Sequence, residues 1–245
     1  MSRIIAMWSG PRNISTAMMR AWSARPDTVV CDEPLYALYL KRTGIDHPGR
    51  DEIIRECPTD LDVIVRTLTT PPEPPVSIFY QKHMAHHLLS GIDSAWIDRL
   101  TNAFLIREPR EMLTSLLRVL PNAGLDATGL PQQVRLFDRE AQRLGHAPPV
   151  IDARDILQDP QGILIALCGS LGVEFTPSML RWEPGPRATD GVWAKHWYAA
   201  VERSTGFSPY QPKDEEVPRR HRGLLRECQS LYQCLAEHRL RAVIG

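Results

Sequence analysis

The sequence predicts an α/β protein: a single domain with an open, mainly parallel β-sheet and helices on both faces. Three observations lead there. Apolar runs of strand length recur without polar alternation, at residues 4–8, 63–65, 76–80 and 103–106, the pattern of strands buried on both faces. The first run passes through Ser9-Gly10-Pro11 into apolar residues at Ile14, Ala17, Met18, Ala21 and Trp22, which is helical spacing. Finally, a chain of 245 residues with 43% hydrophobic and 24% charged content can bury a full core, and no composition shift asks for a second domain, so residues 1–245 read as one.

Residues 3–22 are the stretch around which the rest is organised. In the order strand, turn, helix, the first helical turn presents unpaired N–H groups and the positive end of the macrodipole beyond the strand's carboxyl end. Arg12 adds a cation, Ser15 and Thr16 add two hydroxyls, and Gly10, Pro11 and Asn13 complete the loop, making a candidate phosphate cradle. The plain alternative is a strand-to-helix connection capped by Asn13 or Ser15, with Arg12 on the surface. A nucleotide-triphosphatase P-loop, G-x-x-x-x-G-K-[ST], is not matched, because its second glycine falls on Ser15 and its lysine on Thr16.

The run Thr28-Val29-Val30-Cys31 ends in Asp32-Glu33-Pro34. As a strand it delivers Asp32 and Glu33 to the rim that carries the cradle; as a helix start it makes Asp32 the N-cap. Tyr36 and Tyr39 follow on a helix, either packed or lining an acceptor pocket. Residues 43–62 read as polar loop with a short helix around 52–55, residues 63–65 as a strand, and residues 70–75, rich in proline, as a stiff connection. After 76–80 comes Gln81-Lys82-His83-Met84-Ala85-His86-His87-Leu88-Leu89. His83 and His87 share a helical face there, but without an acidic residue between them or a third ligand no metal site is expected. A histidine beside Lys82 at a strand end suits a base, since imidazole titrates near neutrality. Residues 103–106 then run into Arg107-Glu108-Pro109, and an arginine at the strand end with Ser115 two turns on forms a second anion site. Residues 218–240 read as a closing amphipathic helix with a basic open face.

Charge and cysteine content narrow the partners. With 29 basic and 29 acidic residues the formal charge is zero, so nothing recruits nucleic acid or an anionic membrane, and anions must be met locally. The apolar stretches are too short for a signal-peptide core or a membrane span, which predicts a cytoplasmic protein. Five cysteines (Cys31, Cys57, Cys168, Cys228, Cys234) without a C-x-x-C read as reduced thiols.

The arrangement R-x-P-x-x-x-x-x-S after a buried strand, Arg107 to Ser115, resembles the segment with which sulfotransferases that use 3′-phosphoadenosine 5′-phosphosulfate hold that donor's 3′-phosphate. Pro11-Arg12-Asn13-Ile14-Ser15-Thr16 is similar to the family's P-R-S-G-T loop for the 5′-phosphosulfate, with Ile14 in place of the usual glycine, which limits how closely the backbone can approach a phosphate. Residues 150–160 with the helical 163–171 resemble the family's fifth strand and its E-D-L-x-x-D-P segment. Gly191-Val192-Trp193-Ala194-Lys195-His196-Trp197 is similar to its late glycine and tryptophan loop. The likeness covers residues 3–197 and implies a P-loop nucleoside triphosphate hydrolase-like fold. It implies sulfuryl transfer from phosphoadenosine phosphosulfate, as co-substrate and without a metal, to a hydroxyl or amine of a small-molecule acceptor.

The resemblance also implies roles. Arg12 would stabilise the departing phosphate and the sulfuryl oxygens, and Gly10, Pro11, Asn13, Ser15 and Thr16 would hold the 5′-phosphate with the helix N-terminus. Arg107 and Ser115 would hold the 3′-phosphate, and His83 or Glu33 would take the acceptor's proton. The family's animal cytosolic members carry the base as K-x-H, which falls here on Met84 rather than on His83. Two rivals stay open: a small-molecule kinase on the same fold, which needs magnesium and a P-loop lysine, and a non-catalytic nucleotide-binding relative. The acceptor pocket is expected on loops within residues 35–66 and 123–131. Oligomeric state, a homo-oligomer included, is not legible.

Overall fold

Ile5, Ala6, Met7 and Trp8 are fully buried, because they form the centre of β1 (Arg3–Ser9), the middle strand of five. The structure is a computed structural model and describes residues 2–73 and 76–242; Pro74 and Pro75 of the proline-rich connection lie outside them. With β2 (Thr28–Asp32), β3 (Ile78–Met84), β4 (Thr101–Ile106) and β5 (Val150–Asp152) the sheet order is β2-β3-β1-β4-β5. β2 pairs in parallel with β3, Asp32 opposite Lys82, and β4 pairs in parallel with β5, Ile106 opposite Asp152. Parallel neighbours require long crossovers, and helices supply them. In chain order these are α1 (Ser15–Ser23), α2 (Tyr36–Thr43), α3 (Arg50–Glu56), α4 (Leu61–Thr69), α5 (Pro109–Leu116) and α6 (Leu130–Leu144). Then follow α7 (Ala153–Gln158), α8 (Pro160–Ser170), α9 (Ala194–Trp197), α10 (Ala199–Glu202) and α11 (Arg222–Ala236). The fold is the expected class, an open parallel sheet flanked by helices.

The chain gathers into two compact units, the first comprising Met1–Met7, Ser15–Thr101 and Thr176–Phe207, the second Trp8–Ile14, Asn102–Phe175 and Ser208–Gly245. In the first, α1 buries Met18, Met19, Ala21 and Trp22, and the Trp22 indole stacks on Tyr80 of β3 at 5.1 Å. Residues 63–65 are helical, not a strand. Asp60 caps α4 by accepting from the N–H groups of Asp62 and Val63 at 2.9 and 3.1 Å, and Ile64 and Leu68, one turn apart, are the buried pair. Cap and spacing together outweigh the β-branched run. β3 in turn does not end at Tyr80. It continues extended through Met84 with every residue buried, and Ala85–His87 forms a single 3-10 turn, so no helical face joins His83 to His87. Residues 35–66 are built mainly from α2, α3 and the start of α4 rather than from loop. Asp32 ends β2 and does not cap a helix, since α2 starts four residues later behind Leu35.

In the second unit Pro109 opens α5, whose N-cap Glu108 accepts from the Glu111 N–H at 2.9 Å. The core is pinned by buried polar contacts. Trp8 Nε1 donates to Asn102 Oδ1 at 2.8 Å, and Asn102 Nδ2 donates to Glu140 Oε2 at 2.9 Å. The Gln133 amide on α6 donates to the carbonyls of Trp8 and Leu105 at 2.9 and 3.1 Å, which ties the ends of two strands together. The closing helix is α11, shorter than its amphipathic pattern, with Cys228, Leu235 and Ala236 buried.

Candidate functional site

Each unit carries one constellation. In the second, the loop leaving β1 turns at Gly10, where an added Cβ would stand 2.5 Å from the Thr128 carbonyl oxygen; glycine is needed there for backbone packing. Arg12 follows at φ 56, a left-handed conformation unusual for a side chain other than glycine. Asn13 Oδ1 accepts from the Ile14 N–H at 2.9 Å while Nδ2 donates to the Leu105 carbonyl at 3.1 Å, so Asn13 is the brace of the turn. Ser15, buried, and Thr16, half-buried, open α1 directly after it.

The guanidinium groups of this unit are arranged around few carboxylates. Arg12 Nε donates to Ser115 Oγ at 3.0 Å, and Arg107 Nη1 donates to the Arg12 carbonyl at 2.6 Å. Arg107 also reaches Glu111 Oε2 at 3.2 Å, and the Tyr210 hydroxyl donates to the other oxygen of Glu111 at 2.5 Å with Arg154 over the Tyr210 ring. Arg118 pairs with Glu215. Among the described residues neither Arg12 nor Lys213 forms an ion pair. Partial desolvation, and then the charges of Arg107 and Arg118, lower the Arg12 pKa; desolvation and then Arg107 lower that of Lys213, against the opposing charges of Glu215 and Glu111. A cluster whose cations repel one another is a place where an anion is favoured.

In the first unit, the register that sets Asp32 opposite Lys82 builds a buried ion-pair network at the ends of β2 and β3. Lys82 Nζ donates to Asp32 Oδ1 at 2.9 Å, to Glu33 Oε1 at 2.5 Å and to the Tyr198 hydroxyl at 2.6 Å. The Tyr198 hydroxyl donates to Asp32 Oδ2 at 2.7 Å, and the Gly191 N–H donates to the same oxygen at 3.1 Å. Lys82 is 1% exposed and the Glu33 side chain 12%, so Glu33 is the member nearest the solvent. Burial raises the Glu33 pKa, the Asp32 charge adds to it, and Lys82 opposes both. Burial alone would lower the Lys82 pKa, but Asp32 and Glu33 hold it well above the usual lysine value. Glu33 is itself strained, at φ 40.

The histidines lie apart from this chemistry. His83 alternates to the face of β3 opposite Lys82, where Nε2 meets Gln81 Oε1 at 3.1 Å and burial drives its pKa down to about 3. The helical rotation that would bring it back beside Lys82 does not occur. His87 stacks on Tyr36 and Tyr39 at 4.7 Å each, with His86 edge-on to it at 4.4 Å. Burial keeps both rings neutral, with the His86 pKa at about 3 and that of His87 well below its ordinary value. Tyr36 and Tyr39 are core residues, and the Tyr36 hydroxyl contacts His47 Nδ1 at 2.7 Å.

Sequence reasoning brought Arg12 to Ser115 and Arg107 to the same loop, and it placed Asp32, Glu33 and Lys82 at strand ends. It missed Tyr198, one residue beyond the glycine and tryptophan segment, as well as Tyr210 and Lys213. A tyrosine in a late loop and a lysine between prolines and acids carry no signal of their own; the pairing of Asp32 with Lys82 was available from matching the two strand ends.

Residues 2–238 match a family model described as a sulfotransferase domain. A curated relative, branched-chain-amino-acid aminotransferase-like protein 2 of Arabidopsis thaliana, is 36% identical over 235 residues, which are 96% of this chain and 42% of that protein. The chain thus spans less than half the length of this relative. Among solved structures, the sulfotransferase domain from the Synechococcus PCC 7002 olefin synthase aligns with a TM-score of 0.52 at 15% identity, over 92% of this chain and 94% of that one. A sulfotransferase from Alicyclobacillus acidocaldarius aligns at 0.53 and 12% identity over 98% of both chains. At these identities the likeness is one of fold.

Proposed function

The chain belongs to the sulfotransferase family, and from that premise we propose that it transfers a sulfuryl group from 3′-phosphoadenosine 5′-phosphosulfate to a hydroxyl or amine of a small-molecule acceptor. The observation that supports it most is Arg12: bonded to Ser115, without a carboxylate of its own among the described residues, and repelled by Arg107. In the reaction the S–O bond of the phosphosulfate breaks and a bond from sulfur to the acceptor's oxygen or nitrogen forms. The acceptor's proton goes to Glu33, and 3′,5′-adenosine bisphosphate leaves.

Each role follows from the chemistry of its residue. Negative charge grows on the bridging oxygen only as the S–O bond breaks, and Arg12, already fixed by Ser115, meets it without reorganisation. Ser15, Thr16 and the N-terminal N–H groups of α1 would hold the 5′-phosphate, with Gly10, Pro11 and Asn13 setting the loop. Arg107 and Ser115 would take the 3′-phosphate, with Glu111 aligning the Arg107 guanidinium. Glu33 is preferred to His83 as proton acceptor because its side chain is 12% exposed and its pKa is raised, whereas His83 is 1% exposed and takes up a second ring proton only in acid.

Calorimetry with 3′,5′-adenosine bisphosphate and with 5′-AMP tests the reading. One charge-assisted contact contributes about 1.5–3 kcal/mol, so the bisphosphate should bind roughly tenfold tighter or more. Arg107→Ala should erase that preference. Equal wild-type affinity for the two nucleotides would refute the donor assignment.

A further inference from the structure

We propose that Tyr198 is a positioning residue that sets the proton affinity of Glu33 by holding Lys82 and Asp32 in register. The inference rests on reading Glu33 as the group that takes the acceptor's proton, and it extends that reading to a residue of the late loop.

The geometry is a closed count of donors and acceptors. An ammonium has three N–H bonds, and those of Lys82 go to Asp32, Glu33 and the Tyr198 hydroxyl. A phenol has one proton and two lone pairs. The Tyr198 proton goes to Asp32 Oδ2 at 2.7 Å, and its lone pairs receive Lys82 at 2.6 Å and Trp193 Nε1 at 3.3 Å. Asp32 therefore accepts from Lys82, Tyr198 and the Gly191 N–H, while Glu33 takes its short bond from Lys82, and the nearby Tyr198 hydroxyl also favours its charged form. One ammonium serves two carboxylates, and Tyr198 is the neutral group that relieves Asp32 so that Lys82 remains shared with Glu33.

The loop that carries Tyr198 is fastened independently of it. Arg20 and Asp190, both nearly fully buried, form a two-pronged ion pair at 2.6 and 2.7 Å. At the next residue, Gly191, an added Cβ would stand 2.1 Å from the Trp193 ring and would have to displace the indole. Trp193 is the donor to Tyr198, so backbone, indole, phenol and lysine form one chain of contacts.

The charged and titratable groups facing Glu33 are Asp32 on β2, Lys82 on β3, Tyr36 on α2 and Tyr198 between α9 and α10. His87, near Lys82, is neutral. Without the phenol, Asp32 loses a donor and draws Lys82 toward itself. Glu33 then faces a less compensated carboxylate with a weaker partner, and both changes favour its protonated form.

The experiment is a carbon-13 NMR titration of the full chain labelled at glutamate side-chain carboxyls, with the Glu33 resonance assigned by Glu33→Gln. In Tyr198→Phe the Glu33 midpoint should rise by about one pH unit, the effect of one hydrogen bond to a charged group. Gly191→Ala, which displaces Trp193 and loosens the Gly191 N–H bond to Asp32, takes support from the phenol and a donor from Asp32 together and should move it in the same direction. An unchanged or lowered midpoint in Tyr198→Phe overturns the proposal; if that variant does not fold, an unchanged midpoint in Gly191→Ala overturns it. The acid limb of donor turnover, followed as release of the bisphosphate, separates the two readings. A shifted NMR midpoint with an unshifted turnover limb upholds the role of Tyr198 and removes Glu33 from proton transfer.

Discussion

Lys82→Met takes away the one cation between two carboxylates while keeping the length and apolar stem of the side chain. The cost follows from burial. Lys82 and Asp32 side chains are each 2% exposed and that of Glu33 is 12%, so the carboxylates left behind recover little hydration. Removing one partner of a buried pair typically costs about 3–5 kcal/mol, and the partial exposure of Glu33 argues for the lower end, about 3 kcal/mol. For a chain of this size each kcal/mol moves the melting temperature by about 2–4 °C, which gives a loss of about 6–12 °C in thermal unfolding followed by circular dichroism at pH 7. The pH dependence has a definite sign. The folded-state pKa of Glu33 is already raised and rises further without Lys82, so its contribution is favourable below the unfolded value of about 4.3 and is lost as pH climbs through the folded value. The deficit of the variant should therefore shrink between pH 7 and pH 4.5. Adding Asp32→Asn to Lys82→Met should restore part of the loss at pH 7. A variant melting within about 2 °C of wild type at pH 7, or a deficit that grows in acid, would refute the account of the network.

Two further outcomes are expected. Arg12→Ala should leave bisphosphate binding nearly intact and cut donor turnover by about 10²–10³, as loss of one preorganised charge stabiliser does; weakened product binding with normal turnover would instead make Arg12 a ground-state anchor. Gly10→Ala should destabilise the fold by about 1–3 kcal/mol in urea unfolding, because the new methyl meets a backbone carbonyl that has no rotamer to yield, and a cost near zero would contradict the close approach to Thr128.

The strands and the first helix were legible because burial on both faces leaves an apolar run with no competing reading, as in β1 and β4. The errors share a cause in local competition. Residues 63–65 look like a strand until Asp60 is counted as a cap with Ile64 and Leu68 on one face. The polar residues Gln81, Lys82 and His83 look like the end of a strand, but each meets a partner inside the core, the Leu68 carbonyl, Asp32 and Glu33, and Gln81 in turn, so β3 runs on. Buried polar residues break hydropathy patterns for this reason: their partners lie far along the chain. Tyr198 stands 116 residues from Lys82 and 166 from Asp32, separations that no window of sequence spans.

Backbone strain marks both constellations as well as charge does. Among the described residues the non-glycine positions with positive φ are Arg12 and Glu33, at 56° and 40°. The left-handed conformation costs a side-chain-bearing residue about 1–2 kcal/mol, which glycine would avoid. For packing alone, glycine at either position would be the better residue, since Arg12 is exposed and Glu33 puts a second carboxylate on an ammonium already held by Asp32. Both strained residues follow strand ends, Arg12 three residues after Ser9 of β1 and Glu33 one residue after Asp32 of β2. Strain kept at an arginine that forms no ion pair among the described residues and at a carboxylate of raised pKa accords with the roles proposed for Arg12 and Glu33, since stability alone would favour glycine at both.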